Sequence, residues 1–328
     1  MTRDLAGCHA AVSEVARYRL DLEGKMTEGV VSPNVARRRV RLALREARET
    51  AGHTQLQVAE EMEWSLSKVI RIENGDVTIA PNDLRALLTY LGIKDKATVA
   101  AMLTDAKISR TRSTKPWWQD SKYRTFLSDS LRKLIEYEAE ALAIRYYNVH
   151  FLPGPLQTPA YAESLLSMWA EEMPDGQIDA RLEARRLRHE ALLSRVGKFD
   201  LFLLLDQSVL LRPIGGNVIF ADQLRLLHEL ATAGQARIRM IPFDPVTPLT
   251  NNASFDLVTL SDDDGGLLLY RENGLSDELV EDKESTARHR ARFDKVWNAV
   301  TDEAATMEFI AGRIRALEAN HSSRPGYA

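Results

Sequence analysis

Six arginines fall between residues 37 and 48 (Arg37, Arg38, Arg39, Arg41, Arg45 and Arg48), opposed within that span by a single acid, Glu46. Further on, Ser65, Ser67 and Lys68 are followed by Arg71, four residues after Ser67 and so on the same side of a helix. Guanidinium, ammonium and hydroxyl groups at this spacing have two natural partners. Arginine forks grip phosphate oxygens, and side chains of this length reach the hydrogen-bonding groups on base edges. A solvated helix face carries the same residue types, so charge alone leaves both readings open.

The remainder of the chain narrows the choice. A net charge of −4 over 328 residues argues against a protein that coats nucleic acid with its whole surface. A basic cluster on an acidic chain fits an electrostatic footprint confined to one face. The length allows two or three domains, and 45% apolar with 27% charged residues is ordinary for a soluble globular protein. The longest uncharged apolar stretch, around Leu201 to Leu205, is strand-sized, so no membrane partner is expected. Cys8 is the only cysteine, which excludes an intramolecular disulfide and a thiolate metal cage. With His9, it also interrupts the N-terminal stretch before a secretory apolar core forms. A cytoplasmic location is expected.

The elements that must position these groups are short helices. Residues 1–34 read as an N-terminal extension with a helix over Ala10 to Leu22, broken by Gly24 and Gly29. From 35 to 93 four or five helices are expected. Val40, Ala43, Leu44 and Ala47 form the first apolar stripe, at spacings of three and four, and Gly52 ends that helix. Thr54 is placed to cap the next, which carries Leu56, Val58, Ala59 and Met62. After Glu63 and Trp64, Ser65 caps a third helix with Leu66, Val69 and Ile72 inward, and Asn74-Gly75 stops it. Pro81 opens a last helix that buries Leu84, Leu87, Leu88 and Leu91.

Two helices joined by so short a turn are common. Here the small Ala59 at a close crossing, the "TQ" start, the Ser-x-Ser and the closing "IENG" all agree. In these residues the stretch resembles the Xre and phage-repressor family of lambda-repressor-like helix-turn-helix domains. The resemblance implies that Ser65 to Glu73 is a recognition helix lying in the major groove of an operator. Leu66, Ser67, Lys68 and Arg71 would then face bases. Arg37, Arg38, Arg41, Thr54, Gln55, Ser65 and Asn74 would contact the DNA backbone. Arg48 and Glu73 match a structural salt bridge between first and third helices. Leu66 departs from the polar reader that relatives often carry there, and a leucine offers bases only apolar contact, for instance with a thymine methyl.

Residues 94–125 read as a linker with some helix, containing Pro116, Trp117 and Trp118. The segment 126–319 is expected to be an α+β domain, with a helical part followed by a small mixed sheet, and 320–328 a tail. One helix is expected from Phe126 to about Tyr147, one after the bend at Pro153 to Thr158, and one from Asp179 to Ser194. "FDLFLLLDQ", "ARIRMIPF", "SFDLVTL" and "GLLLYRE" read as strands, the last two joined by a hairpin at "SDDDGG". Further resemblance rests on Trp118, "YEAEA", "LPGPLQTPAYAESLL", "RLEARRLRHEALL", "IGG", "DQLRLLHELA" and "IRMIPF". In these the domain is similar to the one of unknown function that follows an Xre-type head in actinobacterial WhiJ-like regulators. Pro155 stands where that group more often has leucine.

No catalytic constellation emerges. The seven histidines (His9, His53, His150, His189, His228, His289, His321) are scattered, and none pairs with Glu at metal-ligand spacing. Asp262 to Asp264 lack the EF-hand spacing, and Gly215-Gly216 lacks the Lys-Ser/Thr of a phosphate loop. No enzyme activity, metal or cofactor is expected. A site for a ligand or partner in the second domain is expected around Trp117, Trp118, Gln157, Tyr161 and Arg185, although the same aromatics would serve to cement helix to sheet. Two readings follow. In one the chain is a homodimeric DNA-binding regulator, a repressor or an activator with repression favoured, controlled through its second domain by a small acidic protein or a small-molecule effector. In the other it is an antitoxin-like interaction protein that sequesters a small partner and autoregulates its operon.

Overall fold

The computed structural model describes residues 33–111, 116–244, 253–260, 266–272 and 276–322. The chain divides into two compact units, 1–114 and 115–328. The expected N-terminal helix, the acidic hairpin tip at 262–264 and the end of the tail lie outside the described residues.

The described residues of the first unit form five helices: α1 (Pro33–Thr50), α2 (Gln55–Glu61), α3 (Leu66–Glu73), α4 (Pro81–Tyr90) and α5 (Lys96–Ile108). Val40 and Leu44 of α1 meet Val58 and Ala59 of α2, Val69 and Ile72 of α3, and Leu84, Leu87 and Leu88 of α4 in one core. Leu84, Leu88 and Leu44 are at most 2% exposed, a depth at which removing a leucine side chain costs about 2–5 kcal/mol. The region expected to be a linker contains α5, whose Met102 and Ala106 are buried in this same core. Asp95 caps α5 by accepting from the Thr98 amide, a helix-start signal within that region.

The second unit is built on a six-stranded mixed sheet of order β3-β2-β1-β4-β5-β6. The strands are β1 (Ala143–Asn148), β2 (Asp200–Asp206), β3 (Arg237–Ile241), β4 (Phe255–Thr259), β5 (Leu267–Glu272) and β6 (Asp277–Val280). β1 pairs parallel with β2 and antiparallel with β4, and β2 pairs parallel with β3. β4 and β5 pair antiparallel with Thr259 opposite Leu267. Short helices α6 (Ser121–Phe126) and α7 (Asp129–Glu138) precede β1. Then come α8 (Pro159–Ser167), α9 (Gln177–Leu193), α10 (Gln207–Leu211), α11 (Gly216–Thr232), α12 (Lys283–Ala299) and α13 (Glu303–Ser322).

The two faces of the sheet are covered differently. Ile144, Tyr146, Leu203, Leu205, Ile238, Val258 and Leu268 point to the side where α7, α8, α9, α11 and α13 pack. Tyr147, Leu204, Ile241, Phe255, Leu257 and Leu269 point to the opposite side, where Phe293, Val296 and Trp297 of α12 pack. The long helix expected from Phe126 to Tyr147 does not exist: α7 stops at Glu138, and Tyr146 lies on the central strand. All six residues of β1 are buried, so the alternation that marks a half-exposed strand is missing there.

Candidate nucleic-acid interface

α2, a short turn and α3 form the motif. Thr54 caps α2 reciprocally: its Oγ1 accepts from the Gln57 amide at 3.2 Å, and its own amide donates to Gln57 Oε1 at 2.8 Å. The turn passes through Glu63, the one non-glycine residue with positive φ (54°) among the described residues. Ser65 then caps α3, accepting from the Lys68 amide at 3.2 Å. Beyond Asn74 the chain takes the left-handed conformation at Gly75 (φ 77°), and the Asp76 amide donates back to Arg71 O at 2.8 Å, closing the helix end.

The inner side of α3 is anchored by charge as well as by Val69 and Ile72. Arg48 Nε and Nη2 donate to Glu73 Oε1 and Oε2 at 2.6 and 3.0 Å, and Arg48 Nη1 donates to His53 O at 3.0 Å. Gln55 Nε2 donates to Glu73 Oε2 at 2.8 Å. The hydrogen bond with Glu73, its largest cause, raises the Arg48 pKa. These groups bind α1, the start of α2 and the end of α3 into one block. Gln55 therefore has a partner inside the fold in addition to its expected place at the DNA backbone.

The outer side of α3 carries Leu66 (40% exposed), Ser67 and Arg71, all open to solvent. Leu66 is thus on the outside, as the family resemblance implies, and not in the core as apolar periodicity alone suggests. Lys68 is drawn sideways: Nζ lies 3.0 Å from Asp83 Oδ2 of α4 and 3.7 Å from the centre of the Trp64 ring. Of the four expected base readers, three form the open face and one braces it. Leu56, expected among the apolar positions of α2, is 52% exposed.

The arginines of α1 are placed differently from the expectation. Arg38 and Arg41 are buried, at 4% and 6% exposure, and not spread on an open face. Arg41 packs against the end of α3, where a Cβ built on Gly75 would stand 2.9 Å from its Cδ and Nε. Arg41, Leu44 and Arg48 recur at spacings of three and four, so these arginines share the buried stripe of α1. Arg37 is half-buried with its Nε enclosed and unpartnered. Asn74 is exposed at the end of α3.

The expected effector residues of the second unit do not converge. Trp117 and Trp118 meet edge to face at 5.6 Å, and Trp117 meets Tyr123 at 4.8 Å. A cavity of about 30 Å³ beside them is lined by Ile135, Glu138, Arg188 and Arg195, and by neither Gln157, Tyr161 nor Arg185. Glu138 and Arg188 form a buried two-pronged pair at 2.7 and 2.9 Å. Tyr161 is 1% exposed in the core beside Phe220, and burial pushes its hydroxyl up to about 12. Gln157 Nε2 donates to Leu152 O at 2.8 Å, fixing the bend. Arg185 lies beside Gly154, and burial lowers its guanidinium to about 10.

Comparison with known families agrees with this geometry. Residues 39–102 match a helix-turn-helix domain, a span that runs into α5. Residues 131–312, more than half of the chain, match a domain of unknown function, DUF5753, and the chain belongs to that family. No curated protein and no solved structure matches it significantly. The chain is a DNA-binding regulator of the helix-turn-helix class with a C-terminal domain of unknown function. Among the described residues no helix is long and apolar enough to cross a membrane.

Proposed function

We propose that the chain is a sequence-specific, Xre-type transcriptional repressor that binds a two-fold operator as a homodimer, with its second unit receiving the controlling signal from a small ligand or protein partner. The observation that carries this reading is the division of α3. Its inner side is fixed by the Arg48–Glu73 pair, while Leu66, Ser67 and Arg71 are left open on the outer side. A helix of eight residues spans few base pairs, so affinity and specificity call for two copies on half-sites about 34 Å apart. Arg71 is the side chain suited to a two-pronged contact with guanine.

Fluorescence anisotropy with a duplex from the protein's own promoter tests the reading. Wild type is expected to bind with steep salt dependence. Arg71→Ala is expected to bind about 5- to 150-fold more weakly, the equivalent of about 1–3 kcal/mol for one base contact. Equal binding by the variant would remove Arg71 from the reading face.

A further inference from the structure

Arg145, in the second unit, is a buried arginine, at 8% exposure. It stands on β1, in a row across the sheet that runs Leu257, Arg145, Phe202, Arg237. Its side chain points to the α12 side, with the guanidinium carbon 4.5 Å from the centre of the Phe202 ring, and Arg237 lies 5.6 Å from the same ring. Among the described residues its side chain makes one hydrogen bond, a long one from Nη1 to Thr259 Oγ1 at 3.3 Å. Among the described residues no carboxylate lies within 4.0 Å of it.

Such a group is unusual. A guanidinium offers five N–H donors and cannot shed its charge at neutral pH, so its burial is ordinarily matched by an anion. The nearby acids are committed or offset. Asp294 is held by Arg290 at 2.7 Å, and Asp200 is at the start of β2. Burial lowers the Arg145 guanidinium to about 10, Arg290 acts in the same direction, and Asp294 and Asp200 oppose both. Beyond Arg237, Arg239 lies 4.8 Å from the Trp297 ring and donates to Trp297 O at 2.7 Å. Glu303 comes within 3.9 and 3.6 Å of Arg237 and Arg239. Positive charge therefore gathers on one face of the sheet around a buried arginine that the fold leaves unmatched.

We propose that this face binds an oxyanion, the phosphate or carboxylate group of a small ligand, with Arg145 as its buried anchor and Arg237 and Arg290 at its rim. The proposal gives a chemistry to the signal received by the second unit, and to that extent it rests on the regulatory reading above. Binding itself is a separate matter from regulation, and the two are separable by experiment.

The test is thermal unfolding of the full chain in sodium phosphate and in sodium acetate, each against sodium chloride of equal ionic strength. Phosphate, acetate or both are expected to raise the melting temperature by about 2–4 °C at saturating concentration, and the stronger of the two names the ligand's anionic group. Arg145→Met, similar in length and uncharged, is expected to lose this rise. In chloride alone it is expected to melt at or above the wild-type temperature, because it removes an uncompensated buried cation. Arg145→Lys keeps the charge without the fork and is expected to retain a smaller rise. No rise over chloride with either anion would overturn the site, as would a rise that persists in Arg145→Met. If Arg145→Met instead lowers the chloride melting temperature, the arginine belongs to the fold alone. DNA affinity measured with and without the effective anion then separates the two ideas: an unchanged affinity leaves the site standing and removes its regulatory role.

Discussion

Arg48 and Glu73 are separated by 25 residues in sequence and meet as a two-pronged ion pair, Nε to Oε1 at 2.6 Å and Nη2 to Oε2 at 3.0 Å. Both side chains are nearly enclosed, at 11% and 7% exposure. The pair fixes the rotation of α3 about its own axis, which decides which residues face outward. Losing one partner strands a charge beside the core. Arg48→Ala is expected to cost about 3–5 kcal/mol in urea unfolding, and Arg48→Met with Glu73→Leu to recover much of it. If Arg48→Ala costs less than about 1 kcal/mol, the pair has no structural role.

Glu63 holds a left-handed conformation, φ 54°, in the turn between α2 and α3. For a residue with a Cβ this conformation costs about 1–2 kcal/mol, and glycine adopts it freely. Glu63→Gly is therefore expected to raise stability by about 0.5–1 kcal/mol, part of the gain being returned to the entropy of the unfolded chain. Urea midpoints of the two proteins decide the sign, and a lower midpoint for the variant would show that the Glu63 side chain compensates its backbone.

The sequence made local chemistry legible and left tertiary placement obscure. Thr54, Ser65 and Gly75 act as their types demand, because caps and left-handed ends depend on a few neighbouring atoms. Arg38 and Arg41 were expected outside because arginine usually is. Their spacing with Leu44 and Arg48 points inward, a periodic signal that the charge of the side chain masks. β1 resembles helix in the sequence because its neighbours cover both faces and erase alternation, although Ile144, Tyr146, Tyr147 and Val149 carry the β-branched and aromatic signal. The effector residues scattered for a third reason: aromatics near a Pro-Gly-Pro bend look alike whether they line a pocket or fill a core, and Tyr161 fills a core.

Asp256 on β4 pairs across the sheet with Tyr146 and Tyr270, beneath the Glu138–Arg188 pair. Burial pushes its carboxyl well above the ordinary value, Glu138 and Glu272 add to this, and Arg188 opposes it. The folded state thus holds the proton more tightly than the unfolded chain. Its contribution to stability is full below the unfolded value near 4 and is lost as pH rises through the raised folded value. Asp256→Asn mimics the protonated form. Its melting temperature is expected to exceed that of wild type by a margin that grows from pH 5 to pH 8. A margin that shrinks with rising pH would reverse the assignment.

Leu66 stands at the first turn of α3, 40% exposed, on the face that also presents Ser67 and Arg71. The first turn of a recognition helix comes nearest the bases, and the thymine methyl is the apolar group that major-groove base edges present. A leucine there would recognise thymine by burying that methyl, with no hydrogen bond to report it. Removing the methyl should then weaken binding by about 0.8 kcal/mol, roughly fourfold. The comparison uses duplexes selected from a random pool by the full chain, remade with deoxyuridine at each thymine in turn. Wild type is expected to lose about fourfold at one thymine per half-site, and Leu66→Ala to bind the thymine and uracil duplexes alike. If Leu66→Ala keeps the full discrimination, the methyl is read by another residue; if wild type shows none at any position, Leu66 is exposed for some purpose other than reading bases.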